Sequence, residues 1–244
     1  MGQDKRRVVL DQLLQLDKQF AAVGAGLTGH AQAAHGGSGQ VLKHGMRGAG
    51  ADMMTRHDNT FSAERQLHAL REPLYDARKA LVALLDRFWL HVLLGHPHTQ
   101  LLVMQDDVEP LAYLEHVSLS WVADPPRLHS AYSGRGAAPA SVPASAARES
   151  CKGFSLQFHF AENEWFADKL LVKSFVRVNE TQQVSSSAVQ WRPGQSLVDG
   201  QDPSFFDWFL DEEDEFDLGL VFLHELIPNA IAYYLHAAQL SHTL

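Results

Sequence analysis

The sequence predicts an α+β fold in which helices flank a meander of about four antiparallel strands. In the first ninety residues, apolar positions recur every three or four residues, as on one face of a helix. Farther along the chain, Phe154, Leu156, Phe158 and Phe160 alternate with polar residues, as in a strand with one buried face. Stretches rich in Gly, Pro and Ser separate these segments and indicate loops.

Two helices with a continuous apolar stripe are predicted within residues 1–90. Alternating steps of four and three residues keep a stripe on one side of a helix, where a partner helix can cover it. The alternative is that each stripe faces the core of its own domain. Pro73, inside the second stripe, predicts a kink or a restart of that helix. The first stripe is Val9, Leu13, Leu16, Phe20, Val23 and Leu27, and the second is Leu67, Leu70, Leu74, Ala77, Leu81, Leu84 and Phe88.

A segment rich in Gly, Ala and His, at about residues 24–60, separates the two stripes. Each Gly disfavours a helix by about 1 kcal/mol relative to Ala. We therefore predict a loop or flexible insert here.

The predicted sheet belongs to a second domain, residues 91–244. A short helix in residues 106–116 precedes it, and small residues with scattered Pro predict a low-complexity loop at about residues 127–150. After the sheet, Ser204 to Trp208 opens a helical region that continues through residues 218–237. The four strands are predicted around Val117, Leu119 and Trp121, at residues 154–160, in KLLVKSFVRV (169–178), and in SAVQW (187–191) before the turn RPG.

Negative charge is concentrated in the C-terminal part of the chain. The formal net charge is −9; residues 1–150 hold 15 acids and 15 bases, whereas residues 151–244 hold 14 acids and 5 bases. Such a field favours cationic partners and repels phosphate backbones. We expect no direct, sequence-specific binding of free DNA.

The remaining composition favours an intracellular protein without a membrane span. Cys151 is the only cysteine, so an intrachain disulfide is excluded and a reducing compartment fits best. We find no uninterrupted run of about twenty apolar residues.

Two short motifs resemble active-site signatures but lack their context. GAGLTG (24–29) matches G-x-G-x-x-G, yet a polar amphipathic helix precedes it where dinucleotide binding needs a strand. HELIP (224–228) begins like the zinc motif H-E-x-x-H, but Pro228 replaces the second histidine. We predict no metal site, no cofactor and no catalysis.

Five motifs in colinear order resemble the nucleosome assembly protein family, on its SET branch. The most specific is ENEWFADKLLVKSF (162–175). The others are REPLYDARKALVALLDRFWLHVLLGHP (71–97), VQWRPG (189–194), SFFDWF (204–209) and IPNAIAYY (227–234).

This resemblance implies a histone chaperone that acts without catalysis. It implies a homodimer joined by a long antiparallel helix, and an "earmuff" lobe in each subunit whose acidic underside binds core histones. Residues 1–90 would form the dimerisation region, interrupted by the insert, and residues 91–244 the histone-binding lobe. The dimer survives if the two stripes pair across a two-fold axis with the insert looped out; otherwise a weaker dimer or a monomer follows. The dimerisation residues would be Val9, Leu13, Leu16, Phe20, Leu67, Leu70, Leu74 and Leu81.

The stretch SFFDWFLDEEDEF (204–216) combines four aromatic rings with five consecutive acids. We expect the rings to be buried in the lobe and the acids to be held at its rim. Neutralising residues 211–215 should then weaken histone binding and leave the fold intact, whereas Trp208→Ala should damage both. The expected histone contacts are Asp207, Asp211, Glu212, Glu213, Asp214, Glu215 and Asp217, with Glu162, Glu164 and Asp168 as second choices.

The resemblance also implies a nuclear protein that shuttles with the cytoplasm. The given sequence ends AAQLSHTL, without the acidic tail common in the family, so we expect histone binding to rest on the lobe. The alternative is a SET-like inhibitor of a phosphatase, or a scaffold for a chromatin-modifying enzyme.

Overall fold

The computed structural model describes residues 2–34, 49–122, 152–178, 181–198, 202–212, 214 and 217–241 of the 244-residue chain. The described residues form helices and a four-stranded antiparallel sheet. The predicted α+β class is confirmed. The predicted loop at residues 127–150 lies outside the described residues.

Two long helices open the chain, α1 (Gln3–Ala34) and α2 (Ala49–Val82). The loop predicted at residues 24–60 is therefore wrong for 24–34 and 49–60, which are helical. Extending a helix that has already formed adds one hydrogen bond per residue, which offsets the modest penalty of each Gly. Residues 35–48 lie outside the described part of the chain.

Pro73 does not restart the second helix, so that half of the prediction is wrong, while a kink at Pro73 stays a prediction. α2 continues through it from Ala49 to Val82. The missing N–H of Pro73 leaves the carbonyl of Ala69 without its helical donor. Ala69 and Pro73 are both exposed, so water can hydrogen-bond that carbonyl.

The buried side chain of Arg78 in α2 contacts three other helices of the protein. Its guanidinium lies 5.5 Å from the ring centroid of Phe20 in α1 and 5.4 Å from that of Trp89 in α3 (Phe88–Gly95). It also donates a hydrogen bond to the carbonyl of Ile227, at the start of α6 (Ile227–Ser241). Burial lowers the pKa of Arg78 to about 10, so the side chain stays cationic at neutral pH.

Helices α3 and α6 cross closely at Gly95. A Cβ at this position would lie 2.1 Å from the carbonyl oxygen of Tyr233, which no real Cβ can approach. Only glycine permits this separation. A 3-10 turn (Thr99–Leu101), a second one (Gln105–Asp107) and the short helix α4 (Val108–Leu111) lead from α3 to the sheet.

The sheet is a meander with strand order β1-β2-β3-β4. Its strands are β1 (Leu114–Val122), β2 (Lys152–Phe160), β3 (Leu170–Val178) and β4 (Thr181–Ser186). Three strands lie where the alternation predicted them, but the fourth was predicted wrongly at residues 187–191. Of that segment, Trp191 forms an isolated bridge with Phe166. β4 pairs only with β3, and an edge strand that buries little surface carries little apolar signal.

The core lies between one face of the sheet and the C-terminal helices. Phe154, Leu156, Phe158 and Phe160 of β2 are buried on that face. A 3-10 helix (Phe205–Phe209), α5 (Leu218–Val221) and a π-helical turn (Phe222–Leu226) pack on it, and α6 packs on α1 and α3. The stretch Leu218–Ala238 is long and apolar enough to cross a membrane, yet 56% of it is buried inside the protein. Such burial is the property of a core helix.

Candidate functional site

Four aromatic rings attach the acidic stretch to the sheet. Phe205, Phe206, Trp208 and Phe209, named here the aromatic anchor, are at most 6% exposed. Trp208 stacks on Phe222 with ring centroids 5.5 Å apart, and Phe209 meets Phe158 edge-on at 5.4 Å. Phe206 lies 5.7 Å from Phe166, near the β2–β3 connection. The anchor therefore spans much of the sheet's inner face, and the predicted burial of the rings is confirmed.

Two aspartates hold the start of the anchor. The Asp207 carboxylate accepts from the Ser204 backbone N–H at 2.8 Å, and the Ser204 hydroxyl accepts from Phe206 N–H at 3.1 Å. Asp107 is fully buried; it accepts from the Ser204 hydroxyl at 2.6 Å and from Phe205 N–H at 2.8 Å. The S-x-x-D spacing of Ser204 and Asp207 was a readable capping signal. Asp107, which lies 97 residues from Ser204, had no local signal for this contact.

Lys173 of β3 fixes the C-terminal end of the aromatic anchor to the sheet. It occupies an inward position of β3 and is fully buried. Its ammonium group donates to the carbonyl of Trp208 at 2.6 Å, to the carbonyl of Asp211, and to the Ser186 hydroxyl at 3.1 Å. Burial lowers the pKa of Lys173, while the carboxylates of Asp211 and Asp214 act in the opposite direction. The sequence signal for this role was a lysine on the apolar face of a strand.

Asp214 is a structural residue rather than a surface acid. It is 5% exposed and has a left-handed backbone, with φ of 55°. Its carboxylate accepts from Trp208 Nε1 at 2.7 Å, from Leu218 N–H at 3.2 Å and from Gly219 N–H at 3.0 Å. The last two groups belong to the first turn of α5, where a negative charge is favourable. The structure gives Asp214 a role in positioning the loop, and a contact of Asp214 with a histone stays a prediction.

The other predicted acids of this stretch differ in exposure. Glu212 and Asp217 are exposed, whereas Asp207 and Asp211 are half-buried. Glu213 and Glu215 lie outside the described residues. Among the described residues of this stretch, the predicted histone contacts with exposed carboxylates are therefore Glu212 and Asp217.

The second-choice acids lie elsewhere on the lobe. Glu162 and Glu164 are exposed in the β2–β3 connection, and the Asp168 carboxylate accepts from Gln190 N–H at 2.6 Å. Asp214 and Asp217 instead line a cavity with Lys152 and Gly153, at the opposite end of β2. The eight residues from Gly153 to Phe160 separate these ends by roughly 23 Å at ~3.3 Å per residue. The predicted acids that the structure describes thus do not form one cluster.

The predicted dimerisation stripes differ in what covers them. Val9, Leu13, Leu16 and Phe20 are at most 7% exposed within a single chain, where α1 packs on α2 and α6. For these four residues the covering surface belongs to the same chain, as in the alternative of a stripe that faces its own core, and their role in a dimer stays a prediction. In the second stripe, Leu67, Leu74 and Leu81 are half-buried and Leu70 is 57% exposed. A role of this second stripe in a dimer stays a prediction.

The two motifs that resemble active-site signatures, GAGLTG (24–29) and HELIP (224–228), lie in positions unsuited to their usual chemistry. GAGLTG lies inside α1, so the structure places no strand before it. His224 Nε2 lies 3.8 Å from Glu64, and Glu225 contacts His96 Nε2 at 3.1 Å. Within the described ranges, no group of three or more His, Cys, Asp or Glu side chains is arranged to hold a metal ion.

Comparison with known proteins identifies the family. The family model for nucleosome assembly proteins matches residues 76–202. NAP1-related protein 1 of Arabidopsis thaliana is 24% identical over 66% of this chain and 59% of its own length. Human Protein SETSIP is 25% identical over 73% of the chain and 59% of its own length. The aligned segment thus spans less than two thirds of either relative.

Solved structures show the same fold. Nucleosome Assembly Protein 1 from Plasmodium knowlesi superimposes with a TM-score of 0.56 at 19% identity, covering 76% of this chain and 89% of its own. The structure of Ccp1 gives a TM-score of 0.55 at 20% identity, covering 77% and 93%. Because the family model spans more than half of the sequence and the folds agree, this chain belongs to the nucleosome assembly protein family.

Proposed function

We propose that this protein is a histone chaperone of the nucleosome assembly protein and SET type. The observation that carries the proposal is that part of an acidic segment is held in a fixed position. This acidic segment, residues 193–244, contains ten acids and no Lys or Arg. The burial of the aromatic anchor, together with Asp107 and Lys173, holds the backbone of residues 204–211 against the sheet. Family membership supports the assignment, and core histones supply the matching positive charge.

The proposed mechanism is a competition between electrostatic partners, with no covalent step. Histones collapse onto DNA through their Lys and Arg side chains, and the acidic segment competes for the same charges. The long-range field accelerates encounter, and DNA displaces the chaperone once a histone is correctly placed. Attraction between exposed charges is screened beyond about 8 Å at physiological ionic strength, so affinity should fall with salt. A nuclear location follows from this role.

The test compares two pairs of charge-neutralising substitutions. Glu212→Gln with Asp217→Asn removes two exposed charges of the acidic segment, and Glu72→Gln with Asp76→Asn removes two exposed charges of α2. Affinity for core histones is measured at several salt concentrations. The first pair should weaken binding and flatten its salt dependence, while the second pair should do neither. Equal effects of the two pairs would contradict the assignment of this segment.

We further propose a homodimer in which α2 supplies the contact. Leu70 is 57% exposed on α2 although it lies on the predicted apolar stripe. The first stripe, already covered within the chain, would take no part. Multi-angle light scattering of the intact chain should give the dimer mass, and Leu70→Glu should shift it toward the monomer. A monomer mass for the unsubstituted chain at all concentrations would refute the dimer.

A further inference from the structure

An apolar groove lies beside the acidic segment, and the electrostatic mechanism does not use it. The groove has a volume of about 420 Å³ and runs between the turn at residues 102–104 and the aromatic anchor. It is named here the anchor groove. Its apolar lining is Leu102, Met104, Pro203, Phe205, Trp208 and Leu218.

The charged groups at the anchor groove are of one sign. Its two charged lining residues are Asp207 and Asp211. The lining residues lie in the ranges 102–104 and 203–218, which contain no Lys or Arg. Lys173 lies nearby, but its ammonium group is directed at the carbonyls of Trp208 and Asp211. The groove therefore favours an apolar group whose neighbours are cationic.

We propose that the anchor groove binds an apolar side chain of a core histone whose flanking Lys or Arg residues meet Asp207 and Asp211. This inference rests on the proposed function and specifies the partner's chemistry. The volume of the anchor groove is within the range of about 300–1,000 Å³ that is common for ligand-binding clefts. Exposed carboxylates attract any basic surface, whereas an apolar contact at a fixed place selects one segment and one orientation. The groove thus supplies the specificity that charge alone lacks.

The test separates apolar contact from charge by using neutral substitutions. Met104→Gln removes apolar lining from the groove, while Leu101→Gln makes the same kind of change at a neighbouring site that is 71% exposed and outside the lining. Affinity for core histones is measured at low and at high salt. Met104→Gln should weaken binding about 3- to 10-fold, as expected for a lost apolar contact, with an unchanged salt slope. Leu101→Gln should stay within about twofold of the unsubstituted protein on the same reasoning.

A crosslinking experiment tests the occupant directly. Cys151 is the only native cysteine, so Met104→Cys combined with Cys151→Ser places a single thiol at the groove. This thiol is labelled with a maleimide benzophenone and irradiated in the histone complex. The expected product is a chaperone–histone crosslink, and Leu101→Cys in the same background should give much less.

The outcomes distinguish the groove from the function on which it rests. Histone binding that responds equally to Met104→Gln and Leu101→Gln overturns the groove and leaves the chaperone function standing. A crosslink to a second copy of this chain, with none to a histone, also overturns it. Absence of any salt-sensitive histone binding overturns both proposals. Urea unfolding of each variant shows whether a lost affinity reflects lost folding.

Discussion

Neutralising the buried aspartate of the acidic segment should destabilise the fold, whereas neutralising its exposed neighbour should not. Asp214 Oδ1 accepts from Trp208 Nε1 at 2.7 Å and Leu218 N–H at 3.2 Å, and Oδ2 accepts from Gly219 N–H at 3.0 Å. Asparagine has the same shape but only one acceptor oxygen. In either orientation of the Asn amide, at least one of these three donors faces the amide N–H₂ group instead of an acceptor.

The magnitude follows from these contacts. A hydrogen bond to a charged group contributes about 1.5–3 kcal/mol, and a buried donor left without an acceptor adds a similar penalty. We expect Asp214→Asn to lower the free energy of unfolding by about 2–4 kcal/mol. Backbone strain is not involved, since Asp and Asn both tolerate the left-handed conformation found there, with φ of 55°. Glu212→Gln, at an exposed position, should change the free energy of unfolding by less than about 0.5 kcal/mol.

Equilibrium urea unfolding at pH 7 measures both variants, followed by tryptophan fluorescence and circular dichroism. The reasoning is refuted if Asp214→Asn unfolds at the same urea concentration as Glu212→Gln. The result also bears on the wider expectation that residues 211–215 can all be neutralised with the fold intact. The structure predicts that this combined variant is destabilised through Asp214.

Three further predictions concern the groups that hold the lobe together. Lys173→Met leaves the carbonyls of Trp208 and Asp211 without their donor, so the free energy of unfolding should fall by roughly 3–5 kcal/mol in urea titrations; an unchanged midpoint would contradict this role. Burial lowers the pKa of His68 to about 4 and that of His116 to about 3. Because the unfolded chain then binds protons more readily, stability should be lost as pH falls from about 6.5 toward 3, and His116→Gln should flatten that loss in pH-dependent melting curves. Gly95→Ala introduces a Cβ 2.1 Å from the carbonyl oxygen of Tyr233 and should cost about 1–3 kcal/mol by calorimetry, while Gly2→Ala, with nothing within 4 Å, should have no effect.

Local patterns were sufficient for most of the fold. The alternation around β2 reports a single buried face, because successive side chains in a strand point to opposite sides of the sheet. It failed for β4, since the edge strand TQQVSS has almost no apolar residues from which to detect a period. The glycines at residues 24–29 predicted a loop wrongly, because their low helix propensity was outweighed by continuation of a helix that had already formed.

The stripes of α1 and α2 show where periodicity stops being informative. A repeat of three and four residues states that one face of a helix is covered, but it does not state by what. In this chain, α2 and α6 cover the face of α1 that carries Leu13 and Phe20. The dimerisation assignment of that stripe came from the resemblance. Only the packing of helices that are distant in sequence shows which surface covers the stripe within one chain.

The sequence by itself determined the α+β class, the position of the strongest strand, the burial of the SFFDWF rings and the concentration of acids behind them. These features depend on composition and on spacings of a few residues. The tertiary structure decided which acids are presented and which are structural. Lys173 meets the Trp208 carbonyl across 35 residues of sequence, and Asp107 meets Ser204 across 97. A carboxylate's role depends on whether donors from remote segments surround it, and only the folded chain brings those donors together.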